Sequence, residues 1–150
     1  MRDQTVTSHL GCFVTTFRRP GDLRITLDRL LDQTLRPRRV WVFDNADDQA
    51  TRDLVEEYDA NVIRYRNTGA NLGSAGGAHY GFTTLLNEEP EARWIMLVDD
   101  DDPPQTADAL ERLVSLFERH EGQKLAIAGA FGAAWDWRIG EHTRLQDQDL

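Results

Sequence analysis

The chain has 150 residues, of which 40% are hydrophobic, and its formal net charge is -9. This hydrophobic content is too high for a disordered chain and is sufficient for one domain with a single core. The acidic balance provides no basic face for phosphates, which argues against a nucleic-acid partner.

The first part of the chain predicts strands that alternate with helices. Residues 10–16 are apolar and β-branched, as is typical of a strand. A helix follows, with Asp22 predicted as its N-cap. Its apolar residues fall on one stripe, formed by Leu23, Leu27, Leu30 and Leu31. Pro37 separates this helix from a second strand at 40–43, which ends at Asp44 and Asn45.

The middle of the chain continues this alternation. Asp47 or Asp48 can cap a second helix that runs to about Tyr58, and residues 62–65 predict a third strand. A glycine-rich segment, 69–81, then leads into another helix.

The last third begins with a strongly apolar strand at 94–98, which ends in four aspartates, 99–102. An amphipathic helix is predicted at 107–119 and a fifth strand at 125–130, whereas the chain beyond Gly140 is polar and shows no strong pattern. Strands alternating with helices predict an α/β protein with a mostly parallel sheet covered on both faces. We expect residues 1–150 to form a single domain.

Cysteine content and hydropathy bear on the compartment. Cys12 is the only cysteine, so no intrachain disulfide can form. Residues 1–9 carry no signal-peptide core, and no apolar stretch approaches the roughly 20 residues of a membrane span. The expected location is cytoplasmic, with peripheral docking at the inner face of a membrane left open.

The acidic residues at the strand ends predict a metal site. Ligands bind outside the carboxyl ends of parallel strands. Four consecutive carboxylates repel one another, and a hard divalent cation such as Mn²⁺ or Mg²⁺ offsets that repulsion. Alternation along the backbone places Asp99 and Asp101 on the same side, as the expected ligand pair. The alternative is a solvated acidic loop before the turn at Pro103.

The glycine-rich stretch 71–78 suggests close approach of backbone amides to an anionic ligand at a helix N-terminus. It lacks the spacing of a dinucleotide fingerprint and the Gly-Lys-Ser/Thr of a P-loop. The alternative is an ordinary tight loop. His79, which follows this stretch, is interpreted as a surface or packing residue of the helix.

Four motifs, each at a strand end, together resemble the inverting family 2 glycosyltransferases of the GT-A fold. Residues 14–20, VTTFRRP, are similar to the family's V-T-Y/F-N-R-P, with Arg18 in place of Asn. Residues 42–46, VFDNA, are similar to V-D-N-A. Residues 71–77 match N-x-G-x-x-G-G, and 99–101 match the metal-binding D-x-D. The last two lean toward the galactofuranosyl- and rhamnosyltransferase-like branch.

This resemblance implies a Rossmann-like GT-A sheet flanked by helices, and a nucleotide diphosphate-sugar donor, UDP- or dTDP-linked. Arg19 would face the diphosphate, Asp44 would read the uracil or ribose, and Asp99 and Asp101 would hold the metal. The donor-binding residues would be Thr15, Phe17, Arg19, Asp44, Asn45, Asn71, Gly73, Gly76, Gly77 and Asp100. The acceptor would be a carbohydrate or a lipid-linked molecule.

Inverting transfer also needs a general base. The resemblance places it well after the metal motif, beyond Leu150, and the acidic residues after 130 stand in no setting typical of that base. Trp135 and Trp137 are open to two interpretations, a sugar-facing pair or a partly buried edge. We therefore expect donor binding without a catalytic-base region, and either self-association or a missing C-terminal partner region.

Three alternatives remain open from the residues. A nucleotidyltransferase would carry a glycine-rich basic loop after the first strand, and 16–19 contains no glycine. A phosphoacceptor signalling domain would place its acidic pair after the first strand, which here ends in Thr15 and Thr16. A non-catalytic binding or assembly module is the third. Ligand preference separates them: a triphosphate for the first, an acyl phosphate mimic for the second, and a diphosphate nucleotide for a transferase or module.

Overall fold

The structure is a computed structural model that describes residues 4–120, 129, 133–136 and 141–144. The chain forms two compact units, Met1–Leu110 and Glu111–Leu150. From the sequence we expect one domain, and the behaviour of the two units as a single folding unit stays a prediction.

The first unit is an α/β layer structure. Four strands form a parallel sheet in the order β5-β4-β2-β6, and two short strands, β1 and β3, pair in parallel beside it. The elements are β1 (Thr5–Thr7), β2 (Leu10–Thr16), α1 (Pro20–Leu31), β3 (Leu35–Pro37), β4 (Val40–Asp44), α2 (Gln49–Glu56), β5 (Ile63–Asn67), α3 (Gly73–Glu88) and β6 (Trp94–Asp99). The predicted α/β architecture with a mostly parallel sheet is confirmed.

The boundary between the units falls in α4 (Ala109–Arg119), close to the helix predicted there. In the second unit, β7 (Ala133–Asp136) pairs antiparallel with β8 (Glu141–Arg144). Neither strand was predicted, and the sequence beyond Gly140, which contains β8, is polar and shows no strong pattern. The strand predicted at 125–130 lies outside the described residues except Gly129, which is in no helix or strand. Trp137 lies outside them too.

The core of the first unit is built on one fully buried aromatic residue of the central strand. The Phe13 ring makes edge contacts with Phe43 at 5.7 Å and with Phe82 at 5.2 Å between ring centroids. Trp41 stacks on Phe43 at 5.9 Å, and Leu85 of α3 completes this cluster. The apolar stripe of α1 is also buried, at Leu23, Leu27 and Leu30.

The glycine-rich stretch corrects one expectation. We predicted a glycine-rich segment that precedes a helix, but α3 begins at Gly73, so Gly76, Gly77 and Gly81 are helical. A Cβ on Gly81 would lie 2.3 Å from Cε2 of Phe13. The missing side chain lets α3 pack directly on β2. Glycine at this position therefore serves close packing between helix and sheet, despite its low helix propensity.

Two predicted helix starts had different outcomes. Asp48 is the N-cap of α2 and accepts a hydrogen bond from the Thr51 amide at 3.1 Å, as predicted. The cap assigned to Asp22 is wrong, because the N-cap of α1 is Arg19, three residues earlier, and Pro20 is the first helical residue. Proline is well suited to a first helical position, since it needs no hydrogen-bond partner for its nitrogen.

The remaining expectations concern Cys12 and the membrane. Cys12 is fully buried, and burial raises the pKa of its thiol to about 12, which is consistent with an inert packing residue. Among the described residues, no helix is both long and apolar enough to cross a bilayer.

Candidate functional site

An open cleft of about 390 Å³ lies at the carboxyl ends of the central strands of the first unit. The end of β2, the end of β6 and the first turn of α3 form its walls. The lining residues are Thr15, Thr16, Phe17, Arg19, Asn45, Asn71, Gly73, Ser74, Asp99, Asp100 and Asp101. Nine of the twelve donor and metal residues predicted from the sequence are therefore in one cleft, and Asp44, Gly76 and Gly77 are not in its lining.

Asp100 is the buried anchor of the acidic loop. Its side chain is only 8% exposed, and its Oδ2 accepts a hydrogen bond from the Thr16 hydroxyl at 2.7 Å. Its backbone carbonyl accepts another from the Thr26 hydroxyl of α1 at 2.8 Å. These contacts bind the loop after β6 to both β2 and α1, and they prevent Asp100 from turning toward solvent.

Asp99 and Asp101 are exposed on the cleft side of this anchor. Burial, followed by the charges of Asp101, Asp100 and Asp102, raises the pKa of Asp99 above the ordinary aspartate value. In the segment 4–120, no group of three His, Cys, Asp or Glu side chains is arranged to hold a metal ion. Two carboxylates nevertheless suit Mn²⁺ or Mg²⁺ when a nucleotide's phosphates and water supply the other oxygens.

Arg19 brings a positive charge to the same wall of the cleft. Its Nη1 is 3.5 Å from Oδ1 of Asp100, and it contacts the carboxylate of Asp101 directly. These two carboxylates, Asp100 first, raise the pKa of Arg19. The position follows from the backbone, since Arg19 is the last residue before α1 and its side chain leaves the helix toward the loop after β6.

Phe17 gives the cleft an apolar surface. Its ring is 41% exposed, and the Arg18 guanidinium lies 5.3 Å from the ring centroid. Arg18 has a φ of 56°, in the left-handed region. The tight turn at Arg18 brings the chain from the end of β2 into α1, and it leaves Phe17 and Arg19 in the cleft wall.

The first turn of α3 forms the opposite wall. Gly73, with a φ of 66°, donates its amide to Oδ1 of Asn71 at 3.0 Å. Asn45 links this turn to the sheet, because its amide group donates to the Gly73 carbonyl at 3.4 Å and accepts from the Thr68 hydroxyl at 3.0 Å. The first turn carries no acidic residue. A helix N-terminus of this kind favours an anionic ligand.

The three residues that are not in the cleft lining have other contacts. Asp44 is fully buried, and its carboxylate accepts hydrogen bonds from the Ala46 and Asp48 amides, both at 2.8 Å, and from the Tyr65 hydroxyl at 2.9 Å. A Cβ on Gly77 would face Asn45 and Thr15, and one on Gly76 would meet Leu72. Their roles in donor binding stay predictions.

Sequence reasoning missed Thr16 and Ser74 in the cleft lining and Thr26 behind it. Thr16 is next to the predicted Thr15 at the end of β2, so its place at the strand end could have suggested it. Thr26 gave no signal, because a threonine within an apolar helix stripe is indistinguishable from a packing residue. His79, interpreted as a surface or packing residue, is exposed on α3.

The chain also matches known proteins along most of its length. The sequence model for glycosyl transferase family 2 matches residues 12–145. Galactofuranosyltransferase GlfT1 of two Mycobacterium tuberculosis strains is 34% identical over 117 residues, and that of Mycolicibacterium smegmatis is 34% identical over 116. Each match covers 77% of this chain but only 37–38% of the relative. The chain therefore spans well under half the length of these relatives.

Proposed function

Because the chain belongs to glycosyl transferase family 2, we propose that its cleft binds a nucleoside diphosphate-sugar donor for transfer of the sugar to a carbohydrate acceptor. One observation carries the proposal. A basic side chain, Arg19, two exposed carboxylates, Asp99 and Asp101, and the N-terminus of α3 all line the same cleft. A diphosphate is a ligand that uses all three groups. It can pair with the Arg19 guanidinium, accept hydrogen bonds at the helix N-terminus, and share a metal ion with Asp99 and Asp101.

The finer features of this proposal are the sugar, the nucleotide and the metal. The relatives named as galactofuranosyltransferases favour a galactofuranosyl donor. A pyrimidine nucleotide, UDP or dTDP, would place its base against the exposed ring of Phe17. Mn²⁺ or Mg²⁺ would be held by Asp99 and Asp101, with Asp100 fixed behind them.

The residues of the cleft have distinct roles in transfer. When the sugar leaves, negative charge develops on the diphosphate, and a metal ion at Asp99 and Asp101 would stabilise that charge. Arg19 donates hydrogen bonds to the same phosphates, and its planar guanidinium suits a bidentate contact. Asp100, held by Thr16, keeps Arg19 and the acidic loop in register before the donor arrives.

An inverting reaction would also require a base to deprotonate the acceptor hydroxyl. Among the described residues, the carboxylates that line the cleft are Asp99, Asp100 and Asp101, and the roles above occupy all three. The base is therefore proposed to come from a segment outside the described residues. The acceptor is proposed to be a carbohydrate or a lipid-linked molecule.

Thermal unfolding with UDP, with and without Mn²⁺, tests donor binding. Ligand at about a hundred times its dissociation constant should add roughly 2.7 kcal/mol of stability, which shifts the melting temperature by several degrees. The shift should require both UDP and metal and should vanish in an Asp99→Asn, Asp101→Asn double variant. The control is Asp53→Asn, Glu56→Gln, which removes two exposed charges from α2 outside the cleft lining and should keep the full shift.

The choice of nucleotide separates the rival functions. A shift with UTP but none with UDP would favour a nucleotidyltransferase. Stabilisation by an acyl phosphate mimic with Mg²⁺ alone would favour a phosphoacceptor domain. No shift with any of these ligands would contradict the proposal and leave an assembly module as the better explanation.

A further inference from the structure

Arg19 contacts a carboxylate that the metal would need. In the described structure, Asp101 is half-exposed, with a 52% accessible side chain, and the Arg19 guanidinium contacts its carboxylate directly. Asp99, the other expected ligand, has no cationic partner among the described ion pairs, in which Arg19 contacts Asp100 and Asp101. The two expected metal ligands therefore differ: the charge of Asp101 is neutralised by Arg19, and the charge of Asp99 is not.

The contact between Arg19 and Asp101 is held by a fixed residue behind it. The Thr16 hydroxyl anchors Asp100 at 2.7 Å, and Oδ1 of Asp100 lies 3.5 Å from Nη1 of Arg19. Arg19 itself is half-exposed, so its guanidinium can leave Asp101 without opening the core. The arrangement has a rigid anchor in Asp100 and a movable cation.

A divalent cation and a guanidinium compete for the same carboxylate. Both are positive, and their repulsion is strong at the short distances within a coordination site. A diphosphate changes this competition, because it offers Arg19 a better partner than one carboxylate, with several oxygens in bidentate geometry. When Arg19 turns to the phosphates, Asp101 becomes available to the metal.

We propose that Arg19 is an internal counter-ion that occupies Asp101 until a diphosphate releases it, so that metal binding depends on the nucleotide. This inference rests on the proposed donor site and adds a dependence between its two ligands. The metal binds poorly alone and more tightly when the nucleotide is bound. Because coupling between two ligands is reciprocal, Mn²⁺ should strengthen UDP binding by the same factor by which UDP strengthens Mn²⁺ binding.

The test measures Mn²⁺ binding directly, by the electron paramagnetic resonance signal of the free ion, with and without UDP. In the unaltered chain, UDP should tighten Mn²⁺ binding by about tenfold or more. Arg19→Gln should bind Mn²⁺ without UDP several-fold more tightly than the unaltered chain does, and UDP should then add much less. Arg24→Gln is the matched control, because Arg24 is an exposed arginine of α1, the helix that begins directly after Arg19, but it pairs with Glu57.

The outcomes separate this inference from the proposed function. If Arg19→Gln binds Mn²⁺ alone no better than the unaltered chain, while UDP with Mn²⁺ still stabilises the unaltered chain, the counter-ion role is wrong and the donor site stands. If the unaltered chain binds Mn²⁺ in neither the presence nor the absence of UDP, both are wrong. Arg19 is half-exposed, so we expect Arg19→Gln to keep the fold, and circular dichroism of the variant checks this.

Discussion

The hydroxyl of Thr16 donates a 2.7 Å hydrogen bond to Oδ2 of Asp100, a residue 84 positions later in the chain. The bond is buried, and it joins the end of β2 to the acidic loop after β6. Charge-assisted bonds of this length are among the stronger ones in proteins. The geometry of the cleft therefore depends on Thr16, whose side chain is buried.

Replacing Thr16 by valine tests this dependence. Valine keeps the shape of the side chain but removes the hydrogen-bond donor, so the buried Asp100 carboxylate loses its partner. We expect the free energy of unfolding to fall by about 1–3 kcal/mol. Urea denaturation measures the change. Thr83→Val, on an exposed position of α3, is the matched control and should stay within about 0.5 kcal/mol of the unaltered chain. Equal effects of the two substitutions would show that the Thr16 bond contributes little.

The packing of α3 predicts opposite effects for two glycines. A methyl group on Gly81 would lie 2.3 Å from the buried Phe13 ring, whereas one on Gly21, in α1, would meet nothing within 4 Å. Gly81→Ala should therefore destabilise the protein by about 1–3 kcal/mol, because overpacking outweighs the gain in helix propensity. Gly21→Ala should stabilise it by up to about 1 kcal/mol. Melting temperatures of both variants check the sign, and stabilisation by both would contradict the packing role of Gly81.

The sequence predicted those features that depend on neighbouring residues. The apolar run at 94–98 followed by Asp99 places the acidic residues at a strand end, and local hydrogen bonding makes Asp48 the cap of α2. Alternation also predicted that Asp99 and Asp101 share one side, and both line the cleft while Asp100 is buried between them. Patterns of this kind are visible because cause and effect lie within a few residues.

Features that depend on long-range packing were missed. Gly81 reads as part of a flexible glycine-rich loop until the Phe13 ring beneath it is known. The sequence did not show that the Tyr65 hydroxyl and two backbone amides donate hydrogen bonds to the Asp44 carboxylate, whose role in donor binding stays a prediction. The contact between Arg19 and Asp101 could not be predicted either, since it depends on how the turn at Arg18 directs the next side chain.

The left-handed backbone of Arg18 offers a stabilising substitution. Its φ of 56° costs about 1–2 kcal/mol for most side chains, and asparagine, which the family's motif carries at this position, tolerates it better. Arg18→Asn gives up an exposed contact with the Phe17 ring worth about 0.5 kcal/mol, so the net gain should be about 0.5 kcal/mol. Urea denaturation measures it. Arg38→Asn, at an exposed position without positive φ, should show no gain, and a gain there would argue against backbone strain as the cause.

The charge of Asp99 should lower stability at neutral pH. Burial and three nearby carboxylates raise its pKa in the folded chain. The folded state then holds the proton more tightly than the unfolded chain, so stability falls as pH rises from about 3.9, the unfolded value, through the raised pKa. Without ligands, Asp99→Asn should therefore be more stable than the unaltered chain at pH 7. The difference should disappear at about pH 3, where the aspartate is protonated in both states.

Urea denaturation at the two pH values measures the effect of Asp99→Asn, with Glu56→Gln, an exposed charge on α2, as the control that should change neither value. Solvent screening keeps the gain small, since Asp99 is partly open to the cleft. With UDP and Mn²⁺ at pH 7 the order should reverse, because only the unaltered chain keeps both proposed metal ligands and gains the binding energy. If Asp99→Asn is more stable than the unaltered chain both with and without UDP and Mn²⁺, then Asp99 is a destabilising carboxylate that takes no part in donor binding.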